Sequence, residues 1–286
     1  MTIARVGLVQ MECSETVEIN RDRAETGIRE CVARGANVVC LQELFTTPYF
    51  CRELRERYFD WAEPLDGPTT ARFIDLAREL GVVLVLPFFE KRAAGLYHNS
   101  AVVIDADGAV RGAYRKMHIP HDPGFEEKYY FSPGDLGFRV FDTAAGRVAV
   151  LICWDQWFPE GARLAALAGA HLVFYPTAIG WKPAKPDEYA AYLDAWMTGM
   201  RAHAIHNGLF VVAVNRVGIE HEVRFWGHSF VADPLGRVIG VAGEGAENSV
   251  VDCDLDLIET TRRGWPFLRD RRIDAYTDLT RRFIDD

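Results

Sequence analysis

Short, unbroken apolar runs place the tightest limit on this chain. "NVVCL" at 37–41 and "VVLVLPFF" at 82–89 have no polar side to offer to water, so each reads as a strand covered on both faces. "IARVGLVQ", "VAVLI", "HLVFYP", "LFVVAVNRVG", "GHSFVADPLGRVIG" and "SVVDCDL" read as further strands. Helical patterns alternate with them. Ala24, Ile28, Cys31 and Val32 recur at helical spacing from Val17 to Gly35, and a glycine there is a stop signal. Phe73, Leu76, Ala77 and Leu80 share one face of a helix that ends at Gly81, and further helices are expected at about 159–169 and 189–207. Asp107-Gly108 signals a hairpin between "NSAVVID" and "AVRGAY", and Asp233-Pro234-Leu235-Gly236 a second turn. Strand–helix–strand units early and hairpins in the middle predict mixed sheets. Two of them between outer helix layers suit the strand count of an α/β protein. With no repeat, low-complexity tract or linker, residues 1–286 read as one domain with a charged tail from about 258 that carries Trp265, Pro266 and Phe267.

Composition narrows the function classes. The chain is 49% hydrophobic and 26% charged, which excludes disorder. The net charge of -9, with no clustered Lys/Arg face, argues against a nucleic-acid partner. No run reaches the roughly 18 apolar residues of a membrane span. No targeting segment is visible at the start, so a cytoplasmic protein is expected. The six cysteines are scattered and form no Cys-x-x-Cys pair, so neither a zinc ribbon nor a disulfide framework is expected.

One cysteine stands apart. In "RVAVLICWDQWFPE" (147–160) an apolar strand runs straight into Cys153, followed at once by Trp154, Trp157 and Phe158. Core packing would account for the thiol; a nucleophile at a pocket mouth would account for the thiol and the aromatics together. Glu43 and Lys116 also lie just past predicted strands, and ligand sites gather at carboxyl ends of strands. The three chemistries are complementary. A thiol is mostly protonated at neutral pH and needs a base or a positive neighbour. A desolvated carboxylate can take its proton, and an ammonium or the Trp154 N–H can hold the oxyanion that follows. Each residue also has a plainer reading: packed cysteine, solvated or capping glutamate, surface lysine. His203 and His206 share a helix face in "RAHAIHNG", where a packed helix ending in Asn-Gly is a simpler account than a metal site or a Cys–His hydrolase.

Taken together, "LQELF", "YRKMHIP" and "LICWDQWFPE" resemble the nitrilase superfamily of carbon–nitrogen hydrolases. The likeness continues through "PGFEEKYYFSPGDLGF", "YPTAIGW", "RAHAIHNG", "VNRVG" and "FWGHSFVADPLG", from Val6 to about Asp256. It implies a four-layer αββα sandwich, a general base at Glu43, an oxyanion-stabilising Lys116 and a nucleophile at Cys153, with no metal or organic cofactor. A second glutamate is implied at Glu127, with Glu126 as its neighbouring alternative. Tyr49, Trp154, Thr177 and Ala178 correspond to substrate-contacting positions. "KMHIP", "CWDQWFPE" and "YPTAIGW" are most similar to the N-carbamoylputrescine amidases, which implies a small-molecule ureido substrate, a thioester on Cys153, and polyamine chemistry. The segment "WKPAKPDE" departs from that group. Lys182 stands where a carboxylate is usual and Lys185 follows, although Asp187 and Glu188 could compensate. An N-carbamoyl amino acid is therefore a competing substrate, and a non-catalytic scaffold of the same fold is the reading from another class. The resemblance also implies a homodimer or larger homo-oligomer, formed through helices near Cys153.

Overall fold

A computed structural model describes residues 2–184 and 186–285. In chain order its elements are β1 (Ile3–Gln10), α1 (Val17–Ala33), β2 (Val38–Leu41), α2 (Pro68–Leu80), β3 (Val83–Ala93), β4 (Leu96–Ile104) and β5 (Val110–Arg115). Then follow β6 (Val140–Thr143), β7 (Gly146–Val150), α3 (Pro159–Leu167), β8 (Leu172–Thr177), β9 (Gly180–Trp181) and α4 (Pro186–Asn207). The chain closes with β10 (Phe210–Asn215), β11 (Val217–Glu220), β12 (Val223–Trp226), β13 (Phe230–Ala232), β14 (Val238–Val241), β15 (Glu247–Asp254) and α5 (Asp256–Gly264).

Two six-stranded sheets form the centre, in the orders β15-β1-β2-β3-β4-β5 and β14-β13-β10-β8-β7-β6. Both are mixed: β1, β2 and β3 run parallel, as do β7, β8 and β10, and the outer strands are antiparallel. The short apolar runs behave as their composition demands. Along β2, Val38 and Cys40 join the core between the sheets, while Val39 and Leu41 join the core under α1 and α2. Val83 and Val85 alternate with Leu84 and Leu86 in the same way on β3. This period of two is what a strand buried on both faces produces. On the far side, Ala165 and Ala166 of α3 and Trp196 and Met200 of α4 pack on the second sheet. The layers are therefore helix, sheet, sheet, helix, as expected. Gly81 takes the left-handed conformation (φ 63°) that ends α2.

Three features differ from the expectation. "LFVVAVNRVG" is not one strand: it breaks at Arg216, and β11 and β12 form a separate three-stranded sheet with β9. The start of the charged tail, for which the sequence predicts no element, is α5, which buries Ile258 and Thr261 along one face and exposes Asp256, Glu259 and Arg263. The fourth helix starts at Pro186, ahead of the expected Tyr189. Among the described residues no helix is long and apolar enough to cross a membrane.

Strand direction positions the site. β5 is antiparallel to β4, which is antiparallel to β3, so β5 runs the same way as β2 and β3. The chain that leaves β2 towards Glu43 and the chain that leaves β5 at Lys116 thus emerge at one edge. β2 faces β8 and β1 faces β10 across the core, and β7, β8 and β10 are parallel neighbours in the second sheet.

Candidate active site

Glu43, Lys116 and Glu127 meet in the interior, each fully buried. The Lys116 ammonium donates to Glu43 Oε1 at 2.8 Å and to Glu127 Oε1 and Oε2 at 2.9 and 2.7 Å. Glu43 Oε1 also accepts from Asn99 Nδ2 at 2.7 Å, while Glu43 Oε2 is buried without a partner among the described residues. One carboxylate oxygen is thus held by two donors and the other is left as an open acceptor. Burial alone would lower Lys116, but Glu127 and Glu43 outweigh it and hold the ammonium charged. Burial pushes Glu127 up to about 7, with Lys116 pulling it down and the Glu43 charge adding to the rise. Tyr49 donates its hydroxyl to Glu127 Oε1 at 2.6 Å. Glu126 faces elsewhere: its carboxylate lies 3.1 Å from His121, outside the buried group.

Cys153 follows β7 by three residues and opens a 3₁₀ turn, Cys153–Trp157. Its φ of 43° is in the left-handed region, uncommon for a side chain of this kind and a mark of a turn held by its surroundings. Burial pushes the Cys153 thiol well above its ordinary range, and the nearby Glu43 charge adds to this. Lys116 opposes it, Glu127 raises it further, and the Ala178 N–H at the sulfur favours the thiolate. At rest the site therefore holds a thiol, an open carboxylate acceptor and an ammonium. That set suits deprotonation on demand rather than a standing thiolate.

Asp155, which the sequence did not single out, ties two of these arms together. Its Oδ2 accepts from Ile152 N and from the Tyr114 hydroxyl, both at 2.8 Å. Its Oδ1 accepts from His118 N at 3.0 Å and contacts His118 Nδ1 at 2.7 Å. Tyr114 and His118 flank Lys116, so one buried carboxylate joins the cysteine turn to the lysine segment. Asn99 was also missed; the available signal was a polar His-Asn-Ser run inside an otherwise apolar strand.

The remaining expected positions fall as follows. Thr177 and Ala178 are fully buried at and just past the end of β8. Tyr49 packs with Phe125 and Phe225, ring centroids 5.6 and 5.9 Å away. Trp154 is half-buried next to Cys153. Trp157 is 37% exposed, and Phe158 stacks on His118 at 3.7 Å. Tyr49, Phe225 and Ala178 belong to one buried apolar cluster. His203 is packed, with Nε2 2.8 Å from the Gln156 carbonyl. Lys182 Nζ lies 3.5 Å from the Glu222 carboxylate; Lys185 and the Asp187 side chain lie outside the described residues.

Comparison with known proteins gives the family of this chain. Residues 5–263 match the family model for carbon–nitrogen hydrolases. An N-carbamoylputrescine amidase of Solanum lycopersicum is 45% identical, over 97% of this chain and 95% of its own. A citrullinase of Francisella tularensis is 38% identical, over 99% of this chain and all of its own. The crystal structure of a carbon–nitrogen hydrolase from Helicobacter pylori G27 superposes with a TM-score of 0.96 at 43% identity, covering 99% of this chain and 100% of that one. A family model spanning most of the sequence, near-complete relatives and a shared αββα fold lead to one conclusion: this chain belongs to the carbon–nitrogen hydrolase family of the nitrilase superfamily.

Proposed function

We propose that this enzyme cleaves the ureido C–N bond of an N-carbamoyl amine, with N-carbamoylputrescine as the first choice of substrate. The observation that carries this reading is the buried ammonium of Lys116 held between two carboxylates, one of which keeps an unpartnered oxygen. Glu43 takes the Cys153 proton as the sulfur attacks the ureido carbon. The oxyanion that forms is met by the Lys116 ammonium and the Trp154 N–H, preorganised donors in a site closed to bulk water. Glu43 returns the proton to the leaving nitrogen and ammonia departs. The acyl group stays on sulfur as a thioester, a thiocarbamate when the substrate is ureido. Glu43 then deprotonates a water that releases the carbamic acid, which falls apart to carbon dioxide and the amine. Glu127 holds Lys116 and contacts the scissile amino group, while Tyr49, Thr177 and Ala178 line the acyl pocket.

The relatives support a ureido substrate, since two of them are named for N-carbamoylputrescine and citrulline. Lys182 supports a second reading, an N-carbamoyl amino acid, because the Glu222 carboxylate it faces among the described residues is 3.5 Å away and 78% exposed. One ammonia-release assay on N-carbamoylputrescine, N-carbamoyl-β-alanine and citrulline separates them. The cationic compound should lead N-carbamoyl-β-alanine by at least about tenfold in kcat/KM, ~1.4 kcal/mol of discrimination. The reverse order would replace the first choice with the second.

We also read the exposed Leu164, Leu167 and Tyr192 on α3 and α4 as a self-association face, with the tail residues Trp265 and Phe267 reaching a second copy. Light scattering should return a dimer or larger, and a monomer at working concentration would reject this.

A further inference from the structure

Arg216 is a fully buried guanidinium at the break between β10 and β11. It directly follows β10 of the second sheet, yet its hydrogen bonds go to the turn that leaves the first. Nη2 donates to the carbonyls of Glu43 and Leu44 at 3.0 and 2.9 Å. Nη1 donates to the Thr47 carbonyl at 3.0 Å and to Glu220 Oε1 at 2.7 Å. The other oxygen of Glu220 accepts from Tyr49 N at 2.5 Å. Arg216 and Glu220 thus grip the main chain at four points between Glu43 and Tyr49. That turn needs holding, because Leu44 sits at φ 50°.

We propose that Arg216, braced by Glu220, is a positioning residue for the reaction, setting the Glu43 carboxylate against the Cys153 sulfur. This rests on the reading of Glu43 as the base. Its reach extends to both carboxylates on Lys116. Glu43 is held through its own carbonyl, and Glu127 through Tyr49, whose hydroxyl it accepts. Asn215 fixes the other side of the site. Its Oδ1 accepts from Ile179 N at 2.9 Å and its Nδ2 donates to the Ile179 carbonyl at 3.0 Å, holding the chain just past Ala178. Two neighbouring residues therefore lock the base-bearing turn of one sheet to the pocket wall of the other.

The chemistry explains the residue type. A planar fork with donors spread across its plane can serve three carbonyls and a carboxylate at once, whereas a lysine offers donors from a single point. An apolar side chain would fill the space without the cost of burying a charge, but it would leave the turn's carbonyls unbonded and its conformation unspecified.

The test uses Arg216→Lys, Glu220→Gln, Glu43→Gln and the Arg216→Lys/Glu43→Gln double variant. It reads kcat and KM per folded molecule, thermal midpoint, and the rate of Cys153 alkylation by iodoacetamide. Arg216→Lys should lower kcat and the alkylation rate by about tenfold or more while KM stays within about threefold, the signature of a misplaced base. In the Glu43→Gln background the same change should cost less than about twofold, because the residue it positions is already gone. Glu220→Gln covers the case in which Arg216→Lys does not fold. Its amide must turn a donor towards either Arg216 Nη1 or Tyr49 N, and it should lower kcat in the same sense. A kcat within twofold of wild type in the folded variant, or an equal loss in both backgrounds, would overturn the proposal. Near-normal activity of Glu43→Gln alone would instead strike the base assignment, and the clamp defined through it would fall with it.

Discussion

Cys153→Ala should abolish turnover, lowering kcat by at least about 10,000-fold, because the proposed mechanism carries its acyl intermediate on this sulfur. The remaining thiols offer no substitute. Burial pushes Cys13 and Cys31 up to about 11 and holds Cys40, Cys51 and Cys253 above their ordinary range as well. Cys51, the nearest in character, is raised by burial and then by the Glu127 and Glu43 charges. The fold should tolerate the change. Alanine keeps the same Cβ at a backbone of φ 43°, so strain is neither added nor relieved. The loss is one sulfur from a site 5% exposed, about 1 kcal/mol. Ammonia release gives the rate, and intact mass after incubation with a slow amide shows whether an acyl adduct forms. Wild type should gain the acyl mass and the variant should not. Activity within tenfold of wild type would remove Cys153 from the mechanism and leave the scaffold reading of this fold open.

The sheets were legible because their strands are short, apolar and punctuated. "NVVCL" is too short for a typical buried helix, and Gly35 and Gly81 mark helix ends where the structure has them. The small third sheet was not legible. β9 is two residues long, too short to show a period, and the apolar string from Leu209 runs on through the break. The polar pair Asn215-Arg216 within that string was the sign of interruption. The meeting of Glu43 and Lys116 could not be read from spacing, since it depends on two hairpins returning β5 to the direction of β2. The roles proposed for Glu43, Lys116 and Cys153 rest on resemblance, and the adjacent Glu126 and Glu127 looked alike. A 3₁₀ turn beginning at Glu127 separates them, placing one on Lys116 and the other beside His121. Asp155 lay hidden among aromatics because its partners, Tyr114 and His118, are about forty residues away.

Glu43→Gln should lower kcat/KM by about 1,000-fold, roughly 4 kcal/mol of transition-state stabilisation. The substitution is nearly isosteric. Its carbonyl oxygen can still accept from Asn99 and Lys116, and Lys116 keeps both bonds to Glu127. What disappears is the unpartnered oxygen, replaced by an amide nitrogen that can only donate. The fold should be no less stable, since two buried carboxylates now share one ammonium. With the Glu43 charge gone, Glu127 should fall below about 7, because that charge is one cause of its rise. The pH dependence of alkylation separates loss of a base from general damage. In the variant the thiolate forms only by direct ionisation of a thiol that burial holds well above its ordinary range. Its alkylation rate should therefore climb about tenfold per pH unit from pH 7 to 9. Wild type, with the carboxylate taking the proton, should climb far less steeply. Parallel slopes in the two proteins would mean that Glu43 does not act on the sulfur. A shallow wild-type slope beside a steep variant slope would place the proton transfer between these two residues.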